Sequence, residues 1–231
     1  MRQLVGAACG LWAALAPPVL AEPVVVVELF TSQGCASCPP ADEFLEALVK
    51  DPRVIPLSLH VDYWDYIGWE DSFADPKFTE RQKAYARASG SRMIYTPQMI
   101  IAGSDRVEGH VPDEVTAFIA ERLAGPSPVT LVVERQGDSL LIRAEADPPL
   151  TAPVRVQLVR YRPEETVAIE RGENAGKVVT YRNIVTSWES LGDWPGTAPL
   201  ELAAPAPGAD PAVVILQEQG PAAILAAARS D

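Results

Sequence analysis

The segment Val24–Phe30 is an apolar run interrupted only by Glu28, and Cys35-Ala36-Ser37-Cys38-Pro39-Pro40 follows it closely. A β-branched run of this kind suits a strand covered on both faces. Pro39 and Pro40 suit the first turn of a helix, where a missing N–H costs little, with Ser37 or Cys38 as its cap. The chain is therefore committed to strand, turn, helix. Two cysteines spaced to close and reopen a small disulfide ring sit in the turn.

The third cysteine, Cys9, lies in an N-terminal segment that reads as a secretory signal over residues 1–21. Arg2 supplies the positive start, Leu4 to Leu20 is small and apolar, and Val19-Leu20-Ala21 precedes a cleavage point at Glu22. Pro17-Pro18 breaks the run and no stop-transfer charge follows, which argues against a membrane anchor. Cleavage would remove Cys9 and leave Cys35 and Cys38 as the cysteines of the mature chain. The expected location is periplasmic or secreted, where disulfides persist, with no membrane association after cleavage. The formal net charge of −12 and the lack of a basic patch exclude nucleic acid and anionic lipid as expected partners. Solubility alone also accounts for that charge.

The first half alternates in type. After Val24–Phe30 and its helix come a strand over Val54–Val61, an aromatic loop over Asp62–Asp75 and a polar helix over Pro76–Ser89. Strands over Gln98–Ala102 and Arg106–Gly109 flank the turn Gly103-Ser104-Asp105, and a helix covers Pro112–Ala124. Gly125-Pro126-Ser127-Pro128 reads as a linker. Beyond it, strand-like runs at Val129–Arg135, Leu140–Ala146, Val154–Arg162, Thr166–Glu170, Val178–Trp188 and Val213–Gln219 suggest a β-sandwich or small barrel. Gly172–Lys177 imitates a phosphate loop. Its glycine spacing is too short, and Val178 stands where a hydroxyl would bind magnesium, so a hairpin turn is the better reading.

The order β-α-β-α-β-β-α with CxxC after the first strand resembles the minimal thioredoxin pattern. Tyr95-Thr96-Pro97 resembles the Thr-cis-Pro of that superfamily. The expected organisation is a signal peptide (1–21), an α/β thioredoxin-like domain (22–125) and an all-β sandwich-like domain (126–231). Strand directions then bring Cys35, Cys38, the Asp62–Trp69 loop, Thr96-Pro97 and Gly109-His110 to one edge.

Val27–Asp42, Leu59–Asp65 and Tyr95–Gln98 together resemble an uncharacterised family of secreted bacterial proteins with a thioredoxin-like N-terminal part, domain of unknown function 1223. Gly172–Lys177 and Asn183-Ile184-Val185 resemble its C-terminal part. The resemblance implies fold and export, and no settled activity. Gly34 stands where ordinary thioredoxins carry Trp, and Ala36-Ser37 replaces their Gly-Pro.

The leading expectation is a thiol–disulfide oxidoreductase acting on a protein thiol or disulfide partner. Cys35 attacks, Cys38 resolves, and Thr96-Pro97 holds the partner's backbone. Glu28 moves the proton, as buried carboxylates do in thioredoxins; the bland alternative is a carboxylate paired elsewhere. Tyr63, Trp64 and Trp69 are candidate recognition residues, or a lid on the core. No cofactor is implied, and the oligomeric state stays open. Two rival classes remain. One is a copper-handling protein with Cys35 and Cys38 as soft ligands and His110, His60 or Met99 as a third. The other is a binding protein with a structural disulfide. His110 could also favour a Cys35 thiolate, or be a solvated loop residue.

Overall fold

The computed structural model describes residues 23–230. The signal segment and Cys9 lie outside them. The first half follows the expected order: β1 (Val25–Thr31), α1 (Pro39–Leu48), β2 (Val54–His60), α2 (Pro76–Ala88), β3 (Gln98–Ile101), β4 (Asp105–Glu108) and α3 (Pro112–Ala124). β1 runs parallel to β2 and antiparallel to β3, which is antiparallel to β4.

Alternation along β1 sends side chains to two covered faces, as its largely apolar run requires. Val25, Val27 and Leu29 join Ala41 and Leu45 of α1 and Val115 and Ile119 of α3. Val26 and Phe30 face the other way, towards Phe78 and Tyr85 of α2.

The second half is all strand: β5 (Val129–Gln136), β6 (Ser139–Ala146), β7 (Val154–Ala168), β8 (Val178–Trp194), β9 (Leu200–Pro205), β10 (Ala212–Glu218) and β11 (Ile224–Arg229). Four of these extend the first sheet, giving eight strands in the order β11-β10-β7-β8-β2-β1-β3-β4, while β5-β6-β9 form a separate three-stranded sheet. The expectation of a thioredoxin-like α/β domain followed by a separate all-β sandwich-like domain is therefore corrected. One mixed sheet contains strands from both sides of Gly125.

The physical reason lies in β2. Without β8 it would be an edge strand, yet all seven of its residues are buried. An uncovered apolar edge of that kind invites unwanted pairing, and β8 covers it. Pro56 has no N–H to give, and the β2–β8 pairing is a parallel bridge at Ser58 and Ile184. Asn183, at φ +46°, turns its side chain to donate Nδ2–H to the Pro56 carbonyl at 2.8 Å.

β10 explains how the layers stack. Val213 and Ile215 share a core with Val26, Phe30 and Ile55. Val214 and Leu216 share another with Leu131, Leu140 and Ile142 of the small sheet. β9 and β11 were absent from the sequence-based expectation. Both are rich in alanine, a poor strand former, and are held by their ladders to β6 and β10.

Candidate functional site

The turn between β1 and α1 is built from successive backbone bonds. Cys35 N–H donates to the Ser32 carbonyl at 3.1 Å, and Cys38 N–H to the Cys35 carbonyl at 3.3 Å. Cys38 is the N-cap of α1. Cys35 and Cys38 form a disulfide, and both residues are 0% exposed. Between them Ala36 and Ser37 are exposed. Pro39 and Pro40 provide no N–H, and those of Ala41 and Asp42 go to the Cys38 carbonyl. The helix start thus gives a Cys35 thiolate its dipole but few free donors.

Thr96–Pro97 is cis. Ser37 Oγ lies 3.4 Å from Cys35 Sγ and donates to the Thr96 carbonyl at 3.4 Å. Trp64 Nε1–H donates to Thr96 Oγ1 at 2.7 Å. A Cβ at Gly34 would stand 3.2 Å from both Trp64 Cβ and Ile67 Cδ1. The aromatic loop thus occupies the space where a side chain before Cys35 would go, which accounts for the glycine. A Cβ at Gly109 would meet Ala41 and Pro97 at 3.0 and 3.1 Å, so the end of β4 also reaches this edge.

The other aromatics have separate tasks. Tyr63 is partly buried and its hydroxyl donates to Gln82 Oε1 at 3.2 Å; burial pushes its pKa up to about 12. Trp69 Nε1–H donates to Gln33 Oε1 at 2.8 Å. Tyr66 is 81% exposed and stacks on Trp64.

Glu28 is buried on the α2 side of β1, facing away from the helix that Cys38 caps. Arg81 donates to both of its carboxylate oxygens, at 2.6 and 2.9 Å, and the Tyr85 hydroxyl donates to Oε1 at 2.6 Å. Its acceptor positions are engaged in this network, so the structure does not bring it to the disulfide. His110 is turned to the surface beside Glu108, with Nε2 3.5 Å from the carboxylate. Met99 packs in the core under α1. Among the described residues no group of three or more His, Cys, Asp or Glu side chains could hold a metal ion.

Asn174, Gln33, Asp71 and Asp42 are not singled out as site residues by the sequence, and His60 only as a possible metal ligand. The hairpin between β7 and β8 places Asn174 under the cysteine turn. Its Nδ2 donates to the carbonyls of Gln33 and Cys35, both at 2.8 Å, and its Oδ1 accepts from Lys177 Nζ. Gln33 N–H donates to Asp71 Oδ2 at 2.8 Å, and the same oxygen lies 2.7 Å from His60 Nδ1. Burial pushes the Asp71 carboxyl up, but His60 and the N–H groups of Gln33 and Phe73 hold it below its ordinary value. Asp42 faces inward from α1. Burial raises its pKa to about 7, with His60 and Thr31 pulling down and Asp71 pushing up. The signal at His60 is a polar side chain ending the apolar run of β2, whereas Asp42, beside Glu43, looks like any carboxylate in the first turn of a helix.

The sequence profile of the family described as protein of unknown function, DUF1223, matches residues 26–217. The chain belongs to that family. The match crosses Gly125, as the large sheet does. The chain is similar to a protein from Agrobacterium tumefaciens known from its X-ray crystal structure, with 37% identity, 90% of this chain and 95% of that one covered, and a TM-score of 0.76. It also resembles HBP35 of Porphyromonas gingivalis in fold alone, at 13% identity and a TM-score of 0.62, over 90% of this chain and 75% of that one. No curated protein matches. Among the described residues, no helix of this DUF1223 protein is long and apolar enough to cross a membrane.

Proposed function

We propose that this protein is an exported thiol–disulfide exchange protein that acts on a protein partner through Cys35 and Cys38. The observation that carries the reading is the disulfide at the start of α1, linked through Ser37 to the cis Thr96–Pro97 turn. Export rests on the signal-like composition of residues 1–21.

In the reductive direction the partner's thiolate attacks the Cys35 sulfur. The Cys35–Cys38 bond breaks and Cys38 leaves as a thiolate that takes up a proton. A second partner thiolate then attacks the partner sulfur of the mixed disulfide and releases Cys35. The partner dithiol is oxidised and this protein is reduced by two electrons. The reverse sequence delivers a disulfide to this protein and reduces the partner. Thr96 would run beside the partner's backbone, and the exposed Tyr66 ring offers it an apolar contact.

A second reading has its own support. Both cysteines are fully buried, which suits a structural disulfide in a binding protein. The reduction potential separates the two. A value above about −300 mV supports exchange, and a value below it supports a structural bridge. Cys38→Ser should also retain partners as mixed disulfides, which a structural bridge would not do.

A further inference from the structure

Four buried polar side-chain atoms on the α1 side of the sheet make no well-formed hydrogen bond: Thr31 Oγ1, Asp42 Oδ2, Ser58 Oγ and His60 Nε2, although the Thr31 hydroxyl stands near enough to the Asp42 carboxyl to pull its pKa down. Thr31 and His60 are register partners at the ends of β1 and β2. Unpaired buried polar atoms are rare in folded proteins and call for an explanation. Thr31 and His60 both act on the Asp42 carboxyl, one helical turn beyond Cys38.

That carboxyl is placed by helix geometry. Asp42 N–H donates to the Cys38 carbonyl at 3.1 Å. Residues four apart on a helix lie one above the other. Cys38 and Asp42 are both buried, so both face inward on the same stripe. Breaking the disulfide creates a thiolate on Cys38 in a site closed to solvent, and an unpaired buried charge is costly. The proton that neutralises it must come from inside. Glu28 cannot provide it, being on the other face of the sheet and bound by Arg81 and Tyr85.

We propose that Asp42 is the proton store of the Cys35–Cys38 pair. This rests on the exchange reading above. When the disulfide is reduced, the Asp42 carboxyl gives its proton to the departing Cys38 thiolate and becomes a carboxylate. When the disulfide reforms, the carboxylate takes the Cys38 proton. The thiolate then attacks the Cys35 sulfur of the mixed disulfide, and the partner leaves as a thiolate. The groups that act on Asp42 are Thr31 from β1, His60 from β2, Asp71 from the following loop and Tyr181 from β8, and Cys38 precedes it by one turn on the same stripe of α1. Their balance leaves the carboxyl near neutrality, where it can both give and accept a proton.

The test follows disulfide formation in the reduced protein. Oxidised glutathione is added, and release of the Cys35-bound glutathione is measured across the neutral range. The wild-type rate should rise with pH and level off near 7. In Asp42→Asn it should fall about a hundredfold, as loss of a general base does. Its pH break should move to the ordinary thiol range, about 8.5. Thr31→Val keeps the carboxyl and removes a group that pulls its pKa down. Its break should move above 7 with the plateau rate retained, and it decides the matter if Asp42→Asn does not fold. A folded Asp42→Asn with the wild-type rate and break, or an unmoved break in Thr31→Val, overturns the proton store. If the wild-type protein resolves no mixed disulfide at any pH, it is the exchange reading that falls.

Discussion

Asn174 and Cys35 are 139 residues apart in sequence, and the Asn174 side chain donates a 2.8 Å hydrogen bond to the Cys35 carbonyl. The cysteine turn is therefore shaped from both ends of the chain. The same amide holds the Gln33 carbonyl, so one buried side chain from the β7–β8 hairpin fixes the backbone on either side of Gly34.

Asn174→Ala should leave the buried Gln33 carbonyl unpaired and leave the Cys35 carbonyl with the Cys38 N–H alone. At roughly 1–3 kcal/mol for an unsatisfied buried group, a loss of about 1–3 kcal/mol is expected in urea unfolding of the oxidised protein. The folded variant should also shift in reduction potential, because the turn loses its anchor. An unchanged potential would make Asn174 a stability residue alone.

Glu28→Gln should strand the Arg81 guanidinium, which is largely buried against Trp188 and Tyr85. Breaking one side of a buried pair costs about 3–5 kcal/mol. Disulfide exchange by the folded variant should keep the wild-type rate and pH profile. A changed pH break in folded Glu28→Gln would return the proton role to Glu28.

The pKa of Asp42 is raised in the folded protein from its ordinary 3.8 to about 7. The folded state therefore holds this proton more tightly than the unfolded chain. Its stabilising contribution is complete below about pH 4 and is lost as pH rises towards 7, roughly 4 kcal/mol in all. Asp71, with a lowered pKa, acts in the opposite sense and loses its contribution as pH falls. Asp42→Asn should flatten the decline between these limits and be more stable than wild type at about pH 8. Urea midpoints at acid and alkaline pH measure it; a decline as steep as wild type would contradict the assignment.

Trp64→Ala should remove the bond to Thr96 and the indole that stacks on Tyr66, while keeping the Cβ that packs over Gly34. Reduction of the buried disulfide by a small thiol should accelerate, as access to Cys35 opens. An unchanged rate would mean that the aromatic loop does not control entry.

A chain ending at Gly125 should fail to fold. It would lose Val159, Tyr161, Val185, Val213 and Ile215 from the core they share with Val26, Phe30 and Ile55, and uncover the apolar edge of β2. Circular dichroism of the shortened protein gives the answer directly.

The sequence by itself determined the local pieces. The apolar run of β1, the two prolines opening α1, the glycine turns and the Thr-Pro pair each act over a few residues through backbone restriction and periodicity. Those local rules also place CxxC, the aromatic loop and Pro97 at one edge, because strand direction follows from connection length. Tertiary structure decided the rest. Periodicity cannot say which sheet a strand joins, so the pairing of Ser58 with Ile184 and the two-faced burial of β10 were invisible. Nor can it say which face a polar residue in a strand meets. Glu28, read as the proton carrier, is held by Arg81 from α2. Asp42 and His60, ordinary in a list of residues, become distinctive because α1, β2 and β8 close over them and exclude water.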